Sequence, residues 1–243
     1  MMMSMWTTWL PFESKPTVSN FSSPYVGVFF DLDGTLADTA PDLVAATNKL
    51  LIARNLAPKP YEFLRPYASA GARGLLEGAF GIAPDHADFI LLRDEFFSNY
   101  EKALLVESKL FDDMSDLLDQ MDAAKLPWGI VTNKSERFTN PLTELMGLRQ
   151  RAISTVSGDT TPYSKPHPEP ILHAARVAQV DPTKSLYVGD DIRDVVAGKA
   201  AGMKTVAAAY GYCGCKEPPE VWGADFIINK PLELLKIIFP NRG

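Results

Sequence analysis

The sequence is poor in cysteine and histidine and has no long apolar run. Two cysteines, Cys213 and Cys215, are the whole complement of 243 residues. A single C-x-C with no histidine nearby offers too few ligands for a tetrahedral zinc site. Thiols this close in sequence do not bridge without strain. They read as reduced thiols in a loop, which points to the cytoplasm. His86, His167 and His173 are scattered and show no paired metal spacing. No apolar run reaches roughly 18 residues, so no membrane-spanning helix and no membrane partner are expected. Residues 1–24 lack the basic start and continuous apolar stretch of a secretory signal and read as a loose N-terminal arm. Positive charge is in deficit: the formal net charge is −6, which argues against a nucleic-acid surface. No internal repeat is visible. What is present is ordinary for a globular protein, 46% hydrophobic and 22% charged, and the chain is long enough for one domain with an insertion.

Short apolar runs with strand-type residues recur at 26–30, 128–132, 152–156, 186–189, 205–209 and 226–228. Helical periodicity fits 114–124, 135–146, 169–178, 192–201 and 232–238 between them. Alternating strands and helices predict an α/β fold, a parallel sheet with helices on both faces. The first interval differs. Roughly a hundred residues separate the first two strands, far more than an ordinary crossover needs. Helical patterns at 41–55, 74–80 and 85–100 predict a small α-helical insertion there. The core is then expected from residues 25–38 and 108–243, with a helical cap from 39–107. Because the cap leaves the chain just after the first strand, it is expected to sit over the site as a lid and exclude water.

The first strand ends in Phe30-Asp31-Leu32-Asp33-Gly34-Thr35. Alternation puts Asp31 and Asp33 on one side of the chain. Two such charges repel unless a cation sits between them, and Mg2+ prefers oxygen ligands. Gly34 allows the chain to turn. Three further strand ends carry polar groups: Thr132-Asn133, Ser164-Lys165-Pro166 and Gly189-Asp190-Asp191-Ile192-Arg193-Asp194. All four converge at the edge where open α/β sheets bind ligands. Together they suit phosphoryl transfer from a monoester. Asp31 is the candidate nucleophile, forming an aspartyl-phosphate. Asp33 protonates the leaving oxygen and later deprotonates water. Mg2+ is expected on Asp31, Asp190 and the Asp33 backbone carbonyl. Thr132 and Asn133 offer donors to phosphate oxygens, and Lys165 supplies positive charge in the transition state. Asp191 and Asp194 are expected to orient the metal waters or Lys165. Each segment alone has a plainer reading. Thr132-Asn133 also suits a helix N-cap, a lysine such as Lys165 is ordinarily solvated, and Asp190, Asp191 and Asp194 also suit the first turn of a helix.

The four segments, in this order, resemble the haloacid dehalogenase-like phosphatase superfamily over about residues 25–238. The resemblance implies a Rossmann-like core with an inserted α-helical cap, and it implies the roles given above to Asp31, Asp33, Thr132, Lys165 and Asp190. The partner is expected to be a small phosphorylated metabolite, and the assembly a monomer or homodimer. Within the superfamily, Asp38-Thr39-Ala40-Pro41-Asp42-Leu43 is similar to the phosphoglycolate phosphatases. The 68–74 segment matches their specificity loop, where Arg73 is placed to grip a substrate carboxylate or else to make a surface ion pair. Phosphoglycolate is therefore the first expectation. Gly71-Ala72-Arg73, Trp128-Gly129, Tyr210-Gly211-Tyr212 and Trp222-Gly223-Ala224-Asp225 also resemble the N-acetylmuramic acid 6-phosphate phosphatases, which makes that sugar phosphate the alternative. A phosphomutase shares the same chemistry up to the aspartyl-phosphate. A signalling receiver also uses Asp, Thr and Lys on a parallel sheet, but it needs neither the cap nor an acid at Asp33.

Overall fold

The computed structural model describes residues 22–215 and 217–241. The N-terminal arm expected over 1–24 therefore lies outside the described residues except for 22–24. In chain order the elements are β1 (Gly27–Phe30), β2 (Ala37–Asp38), α1 (Ala40–Ala53), α2 (Tyr61–Leu64), a 3-10 turn (Arg65–Ala70), α3 (Gly71–Phe80) and α4 (Phe89–Glu101). There follow β3 (Lys109–Leu110), α5 (Met114–Ala123), β4 (Trp128–Val131), α6 (Glu136–Leu145), β5 (Thr155–Val156) and α7 (Glu169–Ala178). The chain then forms β6 (Ser185–Gly189), α8 (Ile192–Ala200), β7 (Lys204–Ala208), β8 (Phe226–Ile228) and α9 (Leu234–Ile238).

Six strands form one sheet in the order β5-β4-β1-β6-β7-β8, and every neighbouring pair is parallel. The sheet is the Rossmann-like α/β core the sequence predicts. Its central strands are buried along their whole length, as expected where helices cover both faces. One face packs Val28, Phe30, Ile130 and Val188, with the Phe30 ring edge-on to Trp128 at 6.4 Å. The other packs Phe29, Val131 and Tyr187 against Ile171, Ala174 and Ala197 of α7 and α8. From β1 the chain builds outward to β4 and β5, then returns to place β6 on the other side of β1. The strand order therefore reverses between β1 and β6, and a crevice opens there beyond their carboxyl ends.

The stretch from α1 to α4 forms a helical insertion, entered and left through the antiparallel pair β2 and β3. Its core residues, among them Leu43, Leu50, Leu64, Leu75 and Phe96, are continuous with the sheet's. Three details differ from the sequence expectation. The strand expected over 152–156 shortens to two paired residues because β5 is an edge. The helix expected from residue 85 starts at Phe89, after a turn in which His86 N–H donates to the Ala83 carbonyl. Residues 61–70 form short helical turns that their mixed pattern did not reveal.

Asp42, in the first turn of α1, closes the two ends of the insertion on each other. Its buried carboxylate accepts from the backbone N–H groups of Val106 (2.9 Å), Glu107 (3.1 Å) and Ser108 (2.9 Å) and from the Ser108 hydroxyl (2.6 Å). Removing the acceptor strands these donors, at a cost of about 2–4 kcal/mol. Asp42→Ala should lower the thermal midpoint by about 4–16 °C, read by differential scanning calorimetry. An unchanged midpoint would show that the clasp contributes nothing to stability.

Candidate active site

Asp31 follows β1 and Asp190 follows β6, so the strand reversal brings them face to face. The approach is close because glycines line it. Gly34 has φ +83°, and a Cβ there would lie 2.2 Å from Asp190 Oδ2. A Cβ on Gly211 would lie 2.3 Å from the Asp190 Cβ and 2.3 Å from the Gly34 carbonyl. Asp194 joins the pair through helix geometry. Asp191 caps α8 and Asp194 sits three residues on, its carboxylate accepting from Asp191 N–H at 3.1 Å in a capping box. The ligand atoms of Asp31, Asp190 and Asp194 all lie within 4.8 Å of one another.

Lys165 supplies the positive charge. Its ammonium lies 2.9 Å from Asp31 Oδ1 and 2.7 Å from Asp194 Oδ1, and it donates to the Val131 carbonyl and the Tyr187 hydroxyl, each at 2.9 Å. Burial works against the ammonium, but Asp194 and Asp31 outweigh it and hold its pKa above the ordinary value. Asp190 lacks such a partner. It accepts from the Thr35 hydroxyl (3.0 Å) and Tyr212 N–H (2.8 Å), and among the described residues no cation pairs with it. Burial, then the charges of Asp31 and Asp194, push its pKa well above the usual carboxylate range. An all-oxygen set containing a buried carboxylate with uncompensated charge is the donor chemistry a hard divalent cation takes.

Asp33 is not among the three and has partners of its own. Its Oδ1 accepts from Lys134 Nζ at 2.9 Å and from the Thr39 hydroxyl at 2.5 Å. The Tyr212 hydroxyl steadies this corner by accepting from the backbone N–H groups of Thr39 (2.7 Å) and Ala40 (2.9 Å). Burial opposes the Lys134 charge, yet Asp33 outweighs it and keeps the ammonium above its ordinary pKa. The same ammonium lies 4.7 Å from the centroid of the Tyr100 ring on α4.

A cavity of about 270 Å³ holds Asp31, Asp33, Thr132, Asn133, Lys165, Asp190, Asp191 and Asp194 together. The Asn133 amide is engaged at both ends with the Lys165 backbone, donating to its carbonyl at 2.8 Å and accepting from its N–H at 2.9 Å. Asn133 thus fixes the Lys165 loop. Asp191 forms a bidentate pair with Arg193 (2.7 and 2.9 Å) and accepts from the Ser69 hydroxyl at 2.5 Å. Burial would raise the Asp191 pKa, but these partners win and hold it at about 2. Arg193 Nη2 also donates to the Ser69 carbonyl at 2.7 Å, which ties the insertion to the sheet edge. Arg73 is not in this cavity. It lines a neighbouring one, with Tyr67, Glu77 and Trp222, across the Ser69–Asp191–Arg193 tie.

A sequence profile of the haloacid dehalogenase-like hydrolases matches residues 28–208. The chain belongs to the haloacid dehalogenase-like hydrolase family. It is 41% identical over 211 residues to an N-acetylmuramic acid 6-phosphate phosphatase of Pseudomonas putida, covering 87% of this chain and 95% of the relative. It is 42% identical over 207 residues to a phosphoglycolate phosphatase of Xanthomonas campestris pv. campestris, covering 85% and 93%. The fold matches the crystal structure of a predicted phosphoglycolate phosphatase from Haemophilus somnus with a TM-score of 0.78 and 26% identity, over 88% of this chain and 98% of that one. Within the haloacid dehalogenase-like hydrolases the chain is thus an enzyme of the phosphatase kind, a phosphoric monoester hydrolase.

The crowding around Asp190 is directly testable. Gly34→Ala forces a methyl group onto the Asp190 carboxylate at a positive φ. It should lower phosphatase kcat/KM by about a hundredfold, or about 2.7 kcal/mol in transition-state terms. Activity within twofold of wild type would mean that the Asp190 carboxylate need not sit where it does.

Proposed function

We propose that the chain is an Mg2+-dependent phosphomonoesterase that passes the phosphoryl group of its substrate to Asp31 and then to water. The observation that carries this reading is one cavity lined by both Asp31, held by Lys165, and Asp33, held by Lys134. Mg2+, held by Asp31, Asp190 and the Asp33 backbone carbonyl, would neutralise charge on the phosphoryl oxygens. Asp31 uses one carboxylate oxygen to form the bond to phosphorus as the bond from phosphorus to the leaving alkoxide breaks. Lys134 and Thr39 occupy Asp33 Oδ1, so Oδ2 is the atom that gives its proton to the alkoxide. The same oxygen then takes a proton from water as water attacks phosphorus and releases Asp31. Lys165 holds Asp31 in place and faces the negative charge that gathers during transfer. Thr132 lies at the same edge as a neutral donor. The insertion, as a cap, keeps bulk water out of the cavity.

Of the two esters named for the relatives, the lining supports N-acetylmuramic acid 6-phosphate over 2-phosphoglycolate. Phosphoglycolate carries its carboxylate beside its phosphate, yet Lys134, Lys165 and Arg193 are each engaged by an aspartate. Arg73 lies one cavity away. Leu43, Phe96, Phe97 and Phe138 line the first cavity with faces that suit a sugar ring. Phosphate release should therefore show a kcat/KM about a hundredfold higher for the sugar phosphate, without any bisphosphate activator. A preference for 2-phosphoglycolate of similar size would reverse the substrate assignment. Chelation should stop turnover and Mg2+ restore it. Asp31→Asn should abolish turnover of both esters while leaving the circular dichroism spectrum intact; retained turnover would remove Asp31 as nucleophile.

A further inference from the structure

The positively charged groups around the cavity are already spoken for. Lys165 serves Asp31 and Asp194, Lys134 serves Asp33, and Arg193 serves Asp191 and Ser69. The Asn133 amide holds the Lys165 loop. Among the described residues lining this cavity, one buried side-chain polar atom has no hydrogen-bond partner, the hydroxyl of Tyr100. Tyr100 is 1% exposed. Its ring is fixed by Phe96, stacked with centroids 6.1 Å apart, and by Phe138 at 5.4 Å. Lys134 Nζ lies 4.7 Å from the ring centroid and interacts with the Tyr100 side chain, so the ammonium can face the oxygen lone pairs but gives the O–H proton no acceptor. A buried hydroxyl left without a partner is destabilising, and packing alone would be served as well by phenylalanine. The ring fills space, while the hydroxyl proton has no acceptor.

Position says what the oxygen is for. Lys134 touches both Asp33 and the Tyr100 ring, so Tyr100 stands near Asp33 in the cavity they share. Asp33 is the group that protonates the leaving oxygen. A donor beside it therefore meets the alcohol half of the ester and not the phosphate. We infer that Tyr100 is a specificity-determining residue whose hydroxyl hydrogen-bonds to a polar group, a hydroxyl or amide oxygen, on the sugar portion of the substrate. This rests on the phosphatase reading above. It makes the insertion a source of one directed polar contact inside an otherwise apolar wall. A site built to satisfy such a donor discriminates strongly against substrates that leave it unpaired.

The test compares wild type with Tyr100→Phe, which keeps the ring and its packing. Two substrates are used: N-acetylmuramic acid 6-phosphate, and phenyl phosphate, whose leaving group has nothing to accept a hydrogen bond. The ratio of kcat/KM for the sugar ester to that for phenyl phosphate should fall about tenfold in the variant. The thermal midpoint should stay the same or rise, because an unpaired buried hydroxyl has been removed. An unchanged ratio overturns the inference while leaving the phosphatase reading intact. A midpoint lowered by several degrees with an unchanged ratio would make the hydroxyl structural and overturn it equally. A wild-type enzyme that hydrolyses phenyl phosphate but not the sugar ester overturns the sugar assignment and this inference with it. A wild-type enzyme that hydrolyses neither overturns the phosphatase reading itself.

Discussion

Asp31, Asp190 and Asp194 bring three carboxylates within 4.8 Å of one another, and Lys165 is the cation that touches two of them. In a site with little water this crowding is unfavourable unless more positive charge arrives. Much of the surrounding structure exists to hold the arrangement. Gly34 and Gly211 let backbone close over Asp190. The α8 capping box presents Asp194, Tyr187 and the Val131 carbonyl seat the lysine, and Asn133 pins the loop that carries it. The strand reversal between β1 and β6 is what makes the meeting possible at all. A sheet edge charged in this way has the donor chemistry that a hard divalent cation takes.

Most of the sheet edge was legible in the sequence because each piece is local. A buried apolar run ending in Asp31-Leu32-Asp33-Gly34 announces its own strand and turn, the segments at Thr132 and Asp190 do the same, and Lys165 follows in the loop after β5. Four such strand ends in one parallel sheet must share an edge, so their meeting needed no distance information. What stayed hidden depends on tertiary placement. Lys134 stands next to Asn133 and carries no local mark separating it from a solvated lysine, yet it bonds Asp33 across the cavity. The Ser69 to Asp191 contact joins residues far apart in sequence, and no periodicity foretells it. Arg73 lies on a helix whose existence was readable but whose orientation was not, so its facing the neighbouring cavity could come only from the packed structure. Asp42, met in sequence as part of a family-like segment, turns out to accept hydrogen bonds from the returning chain at 106–108.

The two parts of the molecule divide the work. The sheet edge is polar, charged and rigidly bonded, suited to chemistry common to many phosphate esters. The insertion contributes Leu43, Phe96, Phe97 and Tyr100, which carry no charge and are suited to reading the organic half of an ester. The Ser69–Asp191–Arg193 tie joins the two halves and forms the wall between the two cavities. On the proposed reading, substrate choice depends on how the insertion sits over the edge, which is why a chain with four well-marked polar segments says little in sequence about its ester.

The most direct measurement is to capture the covalent step. Enzyme mixed with excess phosphate ester and Mg2+ is quenched with acid within the first turnover, reduced with borohydride and mapped by peptide mass spectrometry. The account predicts homoserine at position 31, the reduction product of an aspartyl-phosphate, with Asp33, Asp190 and Asp194 unmodified. An unmodified position 31 in enzyme that is turning over, or a label on another carboxylate, would contradict it.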